Sequence, residues 1–292
     1  MLLNILEKLK GFKFIPINIT IMNFIIIDAS YFIFYRYHAL KTWIKHSDNE
    51  IDEDKLYENE IFMEKFLKTF QNKIKETEKK LKIPKKEKII KLAGIDCPRN
   101  EIWRKSLFPD YKESRGDCDN NIKHIFKYTY NNNLFTKSGI NKLLYHEHLE
   151  ADDVIAITIK YLKHKYDNSK FWVITSDMDY LQLFEKDKVM LYDLKYNLLT
   201  EKKKSTADPK KDLFYKIVMG DKSDNIPAIF KKCGPKTTEK LYNDNELFES
   251  KLKEDDKVEA QYQLNKTLID FNCIPKNYVE DFAINNLYNY EI

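Results

Sequence analysis

The sequence predicts an α/β fold, a mostly parallel central sheet with helices on both faces, followed by a C-terminal helical lobe. Three observations lead there. Apolar runs of strand length alternate with helical patterns from Phe24 to Tyr192. Acidic residues stand where such runs meet turns, which is where an open parallel sheet gathers its ligand groups. After Lys195 the pattern becomes helical only. With 292 residues, 43% of them hydrophobic and 14% aromatic, the chain can build one large domain with a smaller appendage.

The elements follow in order. Phe24 to Ile27 reads as a buried strand, and Ser30 to Leu40 as a helix that Ser30 caps. Residues 45 to 60 are polar and read as loop. Glu60 to Leu81 carries Ile61, Phe62, Phe66, Leu67, Phe70 and Ile74 at helical spacing, and Pro84 ends it. Ile89 to Ala93 is a second strand, Asp119 to Tyr130 a helix, Lys142 to His146 a strand, and Ala151 to Lys165 a helix with Val154, Ile155, Ile157, Ile159 and Leu162 as its apolar positions. Phe171 to Thr175 is a strand, Tyr180 to Phe184 a short helix and Val189 to Tyr192 a further strand. A lysine-rich connection, Glu201 to Lys211, leads into helices at roughly 209 to 219, 235 to 243, 246 to 253 and 256 to 271. The expected organisation is an extension over 1–21, a core over 22–200 and a lobe over 201–292, with Met22 standing as an alternative start.

Composition excludes some classes. No stretch qualifies as membrane-spanning, since Lys10, Lys13, Pro16 and Asn18 interrupt the first apolar region, and a signal-peptide cleavage pattern is missing. Cys97, Cys118, Cys233 and Cys273 lack paired spacing, so neither a disulfide framework nor a zinc ribbon is indicated, and a reducing interior such as nucleus or cytoplasm is expected. His146 and His148 alternate as on a half-buried strand, which explains them better than zinc. The net charge is only +4, yet lysines crowd Lys65 to Lys91 and Lys202 to Lys216 while the carboxylates cluster. A negative pocket rimmed by positive surface suits a phosphodiester substrate; solvated helix faces would also account for any single lysine run.

The acidic clusters are Glu150-Ala151-Asp152-Asp153, Ser176-Asp177-Met178-Asp179 and Gly220-Asp221-Lys222-Ser223-Asp224-Asn225-Ile226-Pro227. Asp28 follows the first strand and Asp96 the second. So many carboxylates in one crevice raise each other's pKa, and the site is partly protonated or neutralised by cations. Oxygen donors without soft ligands point to magnesium or manganese.

With these motifs in order, the chain resembles the 5′-nucleases, the flap endonucleases and 5′-to-3′ exonucleases, from Phe24 to about Leu241. Ile25-Ile26-Ile27-Asp28-Ala29-Ser30 is similar to the family's first strand and metal ligand, and Arg104 to Arg115, containing Pro109-Asp110-Tyr111-Lys112, to its basic segment at the foot of an arch. The resemblance implies a PIN-like core and two Mg2+ (or Mn2+) ions, one near Asp28, Asp96, Glu150 and Asp152, the other near Asp177, Asp179, Asp221 and Asp224. Asp153 matches a further acidic position acting through water. Two ions about 4 Å apart would activate a water and stabilise the leaving oxygen. Lys112 and Arg115 match residues that reach the scissile phosphate, where a cation stabilises the transition state. Arg104 reads as a supporting phosphate contact or an ion-pair partner of a ligand, and Tyr111 as a DNA-facing neighbour. Phe34 matches an aromatic on which a nucleobase stacks, with a core role as the alternative.

Lys231, Lys232, Gly234, Lys236 and Thr237 fall where relatives place a glycine-rich helix-hairpin-helix that binds duplex phosphates. Only Gly234 remains of the usual glycines, which argues against a bound monovalent ion there. This stretch is similar in style to members encoded by large DNA viruses. The arch region, about 100–140, is too short for a long two-helix arch. The implied activity is a structure-specific 5′-nuclease on branched, nicked or flapped DNA in replication, repair or recombination. Rival readings are a PIN-type ribonuclease, against which the helical signature after Gly220 argues, and a catalytically silent DNA-structure binder, against which the complete acidic set argues. No motif in Asn285 to Ile292 names a protein partner.

Overall fold

The computed structural model describes residues 22–46, 52–84, 87–116 and 119–288. The expected extension over 1–21 and Cys118 lie outside the described residues. All five expected strands form: β1 (Met22–Asp28), β2 (Lys88–Gly94), β3 (Lys142–Leu144), β4 (Phe171–Ile174) and β5 (Val189–Tyr192). They pair in parallel in the order β3-β2-β1-β4-β5. The strand order reverses between β1 and β4, the place where such sheets open a ligand crevice at their carboxyl ends. Register puts Asp28 opposite Gly94 and Ile27 opposite Ile174, so three strands end level at that crevice.

Helices cover both faces. On one lie α1 (Ala29–Lys45), α2 (Glu60–Lys80) and α3 (Asn120–Asn131). Phe62, Phe66, Phe70 and Ile74 of α2, spaced by four, are buried with Phe32, Ile125 and the strand residues Ile25 and Ile27. Each such burial contributes about 1.5–3 kcal/mol. Helix α1 starts earlier than expected because Asp28, not Ser30, caps it, accepting the Tyr31 N–H at 3.0 Å. It also runs on through Lys45, and a 3₁₀ turn occupies Glu53–Glu58, so the expected loop over 45–60 is partly helical.

The other face carries α4 (Ala151–Lys165), whose Val154, Ile155 and Ile159 meet Phe24, Ile26 and Val173. A Cβ on Gly94 would lie 2.6 Å from Ile155 and 3.0 Å from the Ala151 carbonyl. Glycine there lets the start of α4 sit against the end of β2, which brings Glu150 and Asp152 toward Asp96.

The lobe comprises α5 (Pro209–Met219), α6 (Pro235–Asn243), α7 (Asn245–Lys253) and α8 (Asp256–Ile269) around Val218, Ile229, Leu241, Phe248 and Leu252. A second apolar seam, with Cys97, Ile102, Tyr111, Ile217, Ile226 and Leu268, joins it to the crevice wall. Among the helical segments not foreseen, the short turns Arg104–Leu107 and Leu134–Lys137 included, α9 (Lys276–Ala283) matters most to the core. Phe271, Ile274, Val279, Phe282 and Leu287 leave the lobe and complete the core beside α4. In the region expected to hold an arch, α3 is pinned to the sheet by Ile122 and Ile125.

Candidate active site

The crevice contains an inner and an outer acidic group. The inner one rests on α4, where Glu150 is the N-cap and forms a reciprocal capping box with Asp153. One oxygen from each of Glu150, Asp152 and Asp153 lies within 4.8 Å of the others. Asp28 and Asp96 flank them from the ends of β1 and β2. Asp96 accepts the Ser30 hydroxyl and the Ala151 N–H, and Asp28 accepts from Thr175 and Tyr180 at 3.3 Å each. Burial, then the Asp96 and Asp177 carboxylates, push the Asp28 carboxyl from its ordinary 3.8 to about 7. Burial likewise raises Asp96 and Asp152, with Glu150 adding to both and Asp153 to Asp152. Lys112 acts against the shift at Asp96, and Arg104 and Lys112 against that at Asp152, but burial outweighs them.

Glu150 differs. Burial opposes its charge, but Lys112 and Arg104 outweigh it and lower its pKa. Arg104 is 2% exposed and spends its guanidinium internally: Nη1 donates to Glu150 at 2.9 Å, Nη1 and Nη2 to the two Asp153 oxygens at 2.7 Å, and Nε to the Leu268 carbonyl at 2.7 Å. Trp103 Nε1 adds a bond to Asp153 at 2.9 Å. Arg104 is therefore an ion-pair partner and not a phosphate contact, because it is buried and four of its five N–H donors are spent on Glu150, Asp153 and Leu268. Tyr111 is also buried, its hydroxyl 3.0 Å from Glu150 and 3.2 Å from Asp224, so it does not face DNA. Asp153, fully buried, is an anchor for this network, its two oxygens accepting from Arg104 and Trp103.

The outer group joins Asp179, Asp221 and Asp224, again within 4.8 Å. Asp177 caps the 3₁₀ turn Met178–Leu183 by accepting the Asp179 N–H at 2.9 Å and stays exposed at the rim. Asp221 and Asp224 sit on the turn after α5, which depends on Gly220: at φ 70° and with Ile226 O only 2.4 Å from a Cβ, no other residue fits. Lys216, from the last turn of α5, bridges Asp179 and Asp221, the latter at 2.7 Å. Burial opposes the Asp221 charge, but Lys216 and the Ser223 donors hold its pKa at about 2. The sequence offered no sign of this lysine, which is one of several in a basic run.

Lys112 and Arg115 lie between the groups. Lys112 pairs with Glu150 and stands 4.0 Å from Asp224; Arg115 pairs with Asp224 and donates to the Ser223 carbonyl at 3.1 Å. Lys112 takes the left-handed backbone conformation, φ 59°, and its N–H donates to the Asp224 carbonyl at 3.0 Å. A non-glycine residue held there is strained, and the bond to the acidic turn holds it. Phe34 is half-buried with its ring edge-on to Phe126, a position compatible with both readings of it. Lys231, Lys232, Lys236 and Thr237 are all exposed around the start of α6, whose N-cap is Gly234. Lys232 has φ 58°, so a lysine carries the left-handed turn that glycine would take more cheaply.

The donor set fits hard divalent cations. Every group in the two clusters is a carboxylate, lysine ammonium groups pair with Glu150, Asp179 and Asp221 in the way cations would, and burial raises the pKa of Asp28, Asp96 and Asp152. The nearby Cys97 thiol is buried and pushed up to about 12, by burial first and then by Glu150 and Asp96, so it is no ligand. His146 receives the His148 N–H on Nδ1 and faces Asp281 with Nε2 at 3.1 Å, which leaves no ring nitrogen for zinc.

The model of the 5′-3′ exonuclease, N-terminal resolvase-like domain, matches residues 23–214, about two thirds of the chain. The chain belongs to this 5′-3′ exonuclease family. Among its relatives, a 5′-3′ exonuclease of Aquifex aeolicus is 29% identical over 173 residues, 58% of this chain and 57% of that protein. The match thus spans little more than half of that relative. Among solved structures of the fold, a bacteriophage T5 protein co-crystallised with metal ions superposes with TM-score 0.62 at 17% identity, covering 90% of this chain and 97% of the other. The bacteriophage T5 flap endonuclease in a pseudo-enzyme-product complex with DNA and metal ions gives 0.59 at 16% identity, with the same coverage.

Proposed function

We propose that this family member is a divalent-metal-dependent, structure-specific 5′-nuclease that hydrolyses phosphodiesters of branched, nicked or flapped DNA in replication, repair or recombination. The observation that carries the reading is the pair of carboxylate groups facing one crevice at the sheet's switch point, with Lys112 and Arg115 between them. The fold shared with a phage protein crystallised on DNA and metal ions supports DNA as the substrate.

Two magnesium or manganese ions, held by Asp28, Asp96, Glu150 and Asp152 on one side and by Asp177, Asp179, Asp221 and Asp224 on the other, would when bound lower the pKa of the attacking water and stabilise the leaving oxygen. The protein's own cations act beside them. Lys112 and Arg115 place positive charge where the phosphoryl oxygens gain charge in the transition state. Arg104 acts through Glu150, fixing that carboxylate from behind. Lys231, Lys232, Lys236 and Thr237 offer phosphate contacts to the duplex, and the lysines give the binding its salt dependence. A reducing intracellular compartment goes with this reading and with the free thiols of Cys97, Cys233 and Cys273.

The test is cleavage of a 5′-labelled panel, single-stranded, blunt, nicked, 5′-flap and four-way junction DNA, with magnesium and with chelator, beside Asp179→Ala. Magnesium-dependent cutting near the flap base, lost in the variant, is expected. Binding without cutting on every substrate would move the protein to the silent binders, and cutting restricted to RNA to the ribonucleases.

A further inference from the structure

Lys216 occupies the outer carboxylate group in the way a metal ion would. Its ammonium bridges Asp179, on the turn after β4, and Asp221, on the turn after α5. Both carboxylates it touches belong to the group whose oxygens approach within 4.8 Å of one another, so a cation seated in that group meets the lysine's partners. Asp224, the third member, is neutralised separately by Arg115. The arrangement is half-open: the Lys216, Asp179 and Asp221 side chains are 21%, 12% and 16% exposed, which leaves the long lysine stem free to turn outward.

An ammonium and a divalent ion cannot share these oxygens. Divalent ions bind oxygen at about 2.0–2.6 Å, which puts them inside the cage that Lys216 now closes. Resting on the reading of this cluster as a metal site, we propose that Lys216 is its resident counter-cation: it closes the outer group in the metal-free protein, competes with the divalent ion for Asp179 and Asp221, and is displaced when the ion enters. At the inner group Lys112 pairs with Glu150, but among the described residues no ammonium bridges two of its carboxylates as Lys216 bridges Asp179 and Asp221.

The experiment is calorimetric titration of Mn2+ into the metal-stripped full chain without DNA, comparing the wild type with Lys216→Met, Lys216→Arg, Lys222→Met and Asp221→Asn. Asp221→Asn identifies the outer binding event by abolishing it. Lys216→Met should tighten that event by about tenfold or reveal it where the wild type shows none, Lys216→Arg should resemble the wild type, and removing the exposed Lys222 charge nearby should shift it less than about twofold. An outer event that Lys216→Met leaves unchanged or weakens overturns the proposal while sparing the metal site. An equal gain from Lys222→Met overturns it too, since general charge would then suffice. If neither wild type nor Lys216→Met has an event sensitive to Asp221→Asn, the metal reading of the cluster falls and takes the competitor with it.

Discussion

The inner and outer acidic groups share Lys112, which pairs with Glu150 and stands 4.0 Å from Asp224, yet the other cations that hold each group differ in burial. The inner one is backed by a buried arginine: Arg104 and Asp153 are 2% and 0% exposed, and their hydrogen bonds close on each other, on Glu150 and on the Leu268 carbonyl of α8. The outer one is closed from the front by a lysine that remains 21% exposed. A cation behind a carboxylate shapes it without obstructing it, whereas a cation in front must yield before anything else can bind. The difference separates architecture from exchangeable charge within one crevice.

The contrast is sharpest in stability. Arg104→Met leaves Asp153 and Glu150 buried beside an apolar side chain, and breaking such a network from one side costs about 3–5 kcal/mol. Urea unfolding of the metal-free protein measures it. A loss under about 1 kcal/mol would mean that the inner group is no more prebuilt than the outer. Because Arg104 also holds the Leu268 carbonyl, the same variant should loosen α8, seen as faster amide exchange at Leu268 and Ile269.

Lys112 distinguishes chemistry from gripping. Its ammonium lies against Glu150 and its backbone is tied to Asp224, so it reports on both groups at once. Lys112→Ala should lower single-turnover cleavage by about 100–1,000-fold, the usual worth of one fixed charge at a transition state. Affinity for a flap in calcium should change less than about fivefold, since the proposed phosphate contacts fall mostly to the exposed lysines of the lobe. Equal losses in rate and affinity would recast Lys112 as a binding residue only.

The two groups also respond oppositely to pH in the metal-free state. Asp28 is raised from 3.8 to about 7, so between those values the native state binds more protons than the unfolded chain. Stability then falls as pH rises, and the raised Asp96 and Asp152 have the same sign. Asp221, held at about 2, contributes stability that is fully present above 3.8 and lost only as pH falls through 2. Heating the stripped protein at pH 5 and at pH 8 should show it less stable at pH 8 by a few kcal/mol, with Mg2+ restoring the difference. Asp28→Asn should flatten the profile; an unchanged slope would place the protonated carboxyl elsewhere.

Much of this was legible in the sequence because it is written in local terms. Five apolar runs became the five strands, and the spacing of Phe62, Phe66, Phe70 and Ile74 became the buried stripe of α2. Carboxylates at strand ends had to converge once the sheet was parallel. What could not be read was orientation. Arg104 and Arg115 stand in one basic segment, yet one points into the core and the other into the crevice, a choice made by the partners Asp153 and Leu268 far along the chain. Lys216 was hidden for the same reason, one lysine among many until α5 aims it at Asp179. Helix α9 was missed because its apolar face is short and its partner is α4, more than a hundred residues earlier.

The smallest effect is the one that isolates the outer group. Lys216→Met removes a partly exposed ammonium from two carboxylates that can turn toward water, so the metal-free protein should lose only about 1 kcal/mol at pH 7. The sign can be checked. Since Lys216 depresses Asp221, its contribution is present above 3.8 and should vanish in acid, wild type and variant converging as pH falls toward 2. A loss of about 3 kcal/mol or more would make Lys216 an architectural residue like Arg104, and a cation so firmly held would be a poor candidate for displacement by metal. A loss near zero, with a tighter outer metal event in the same variant, would show that the lysine's work is done in competition and not in holding the fold.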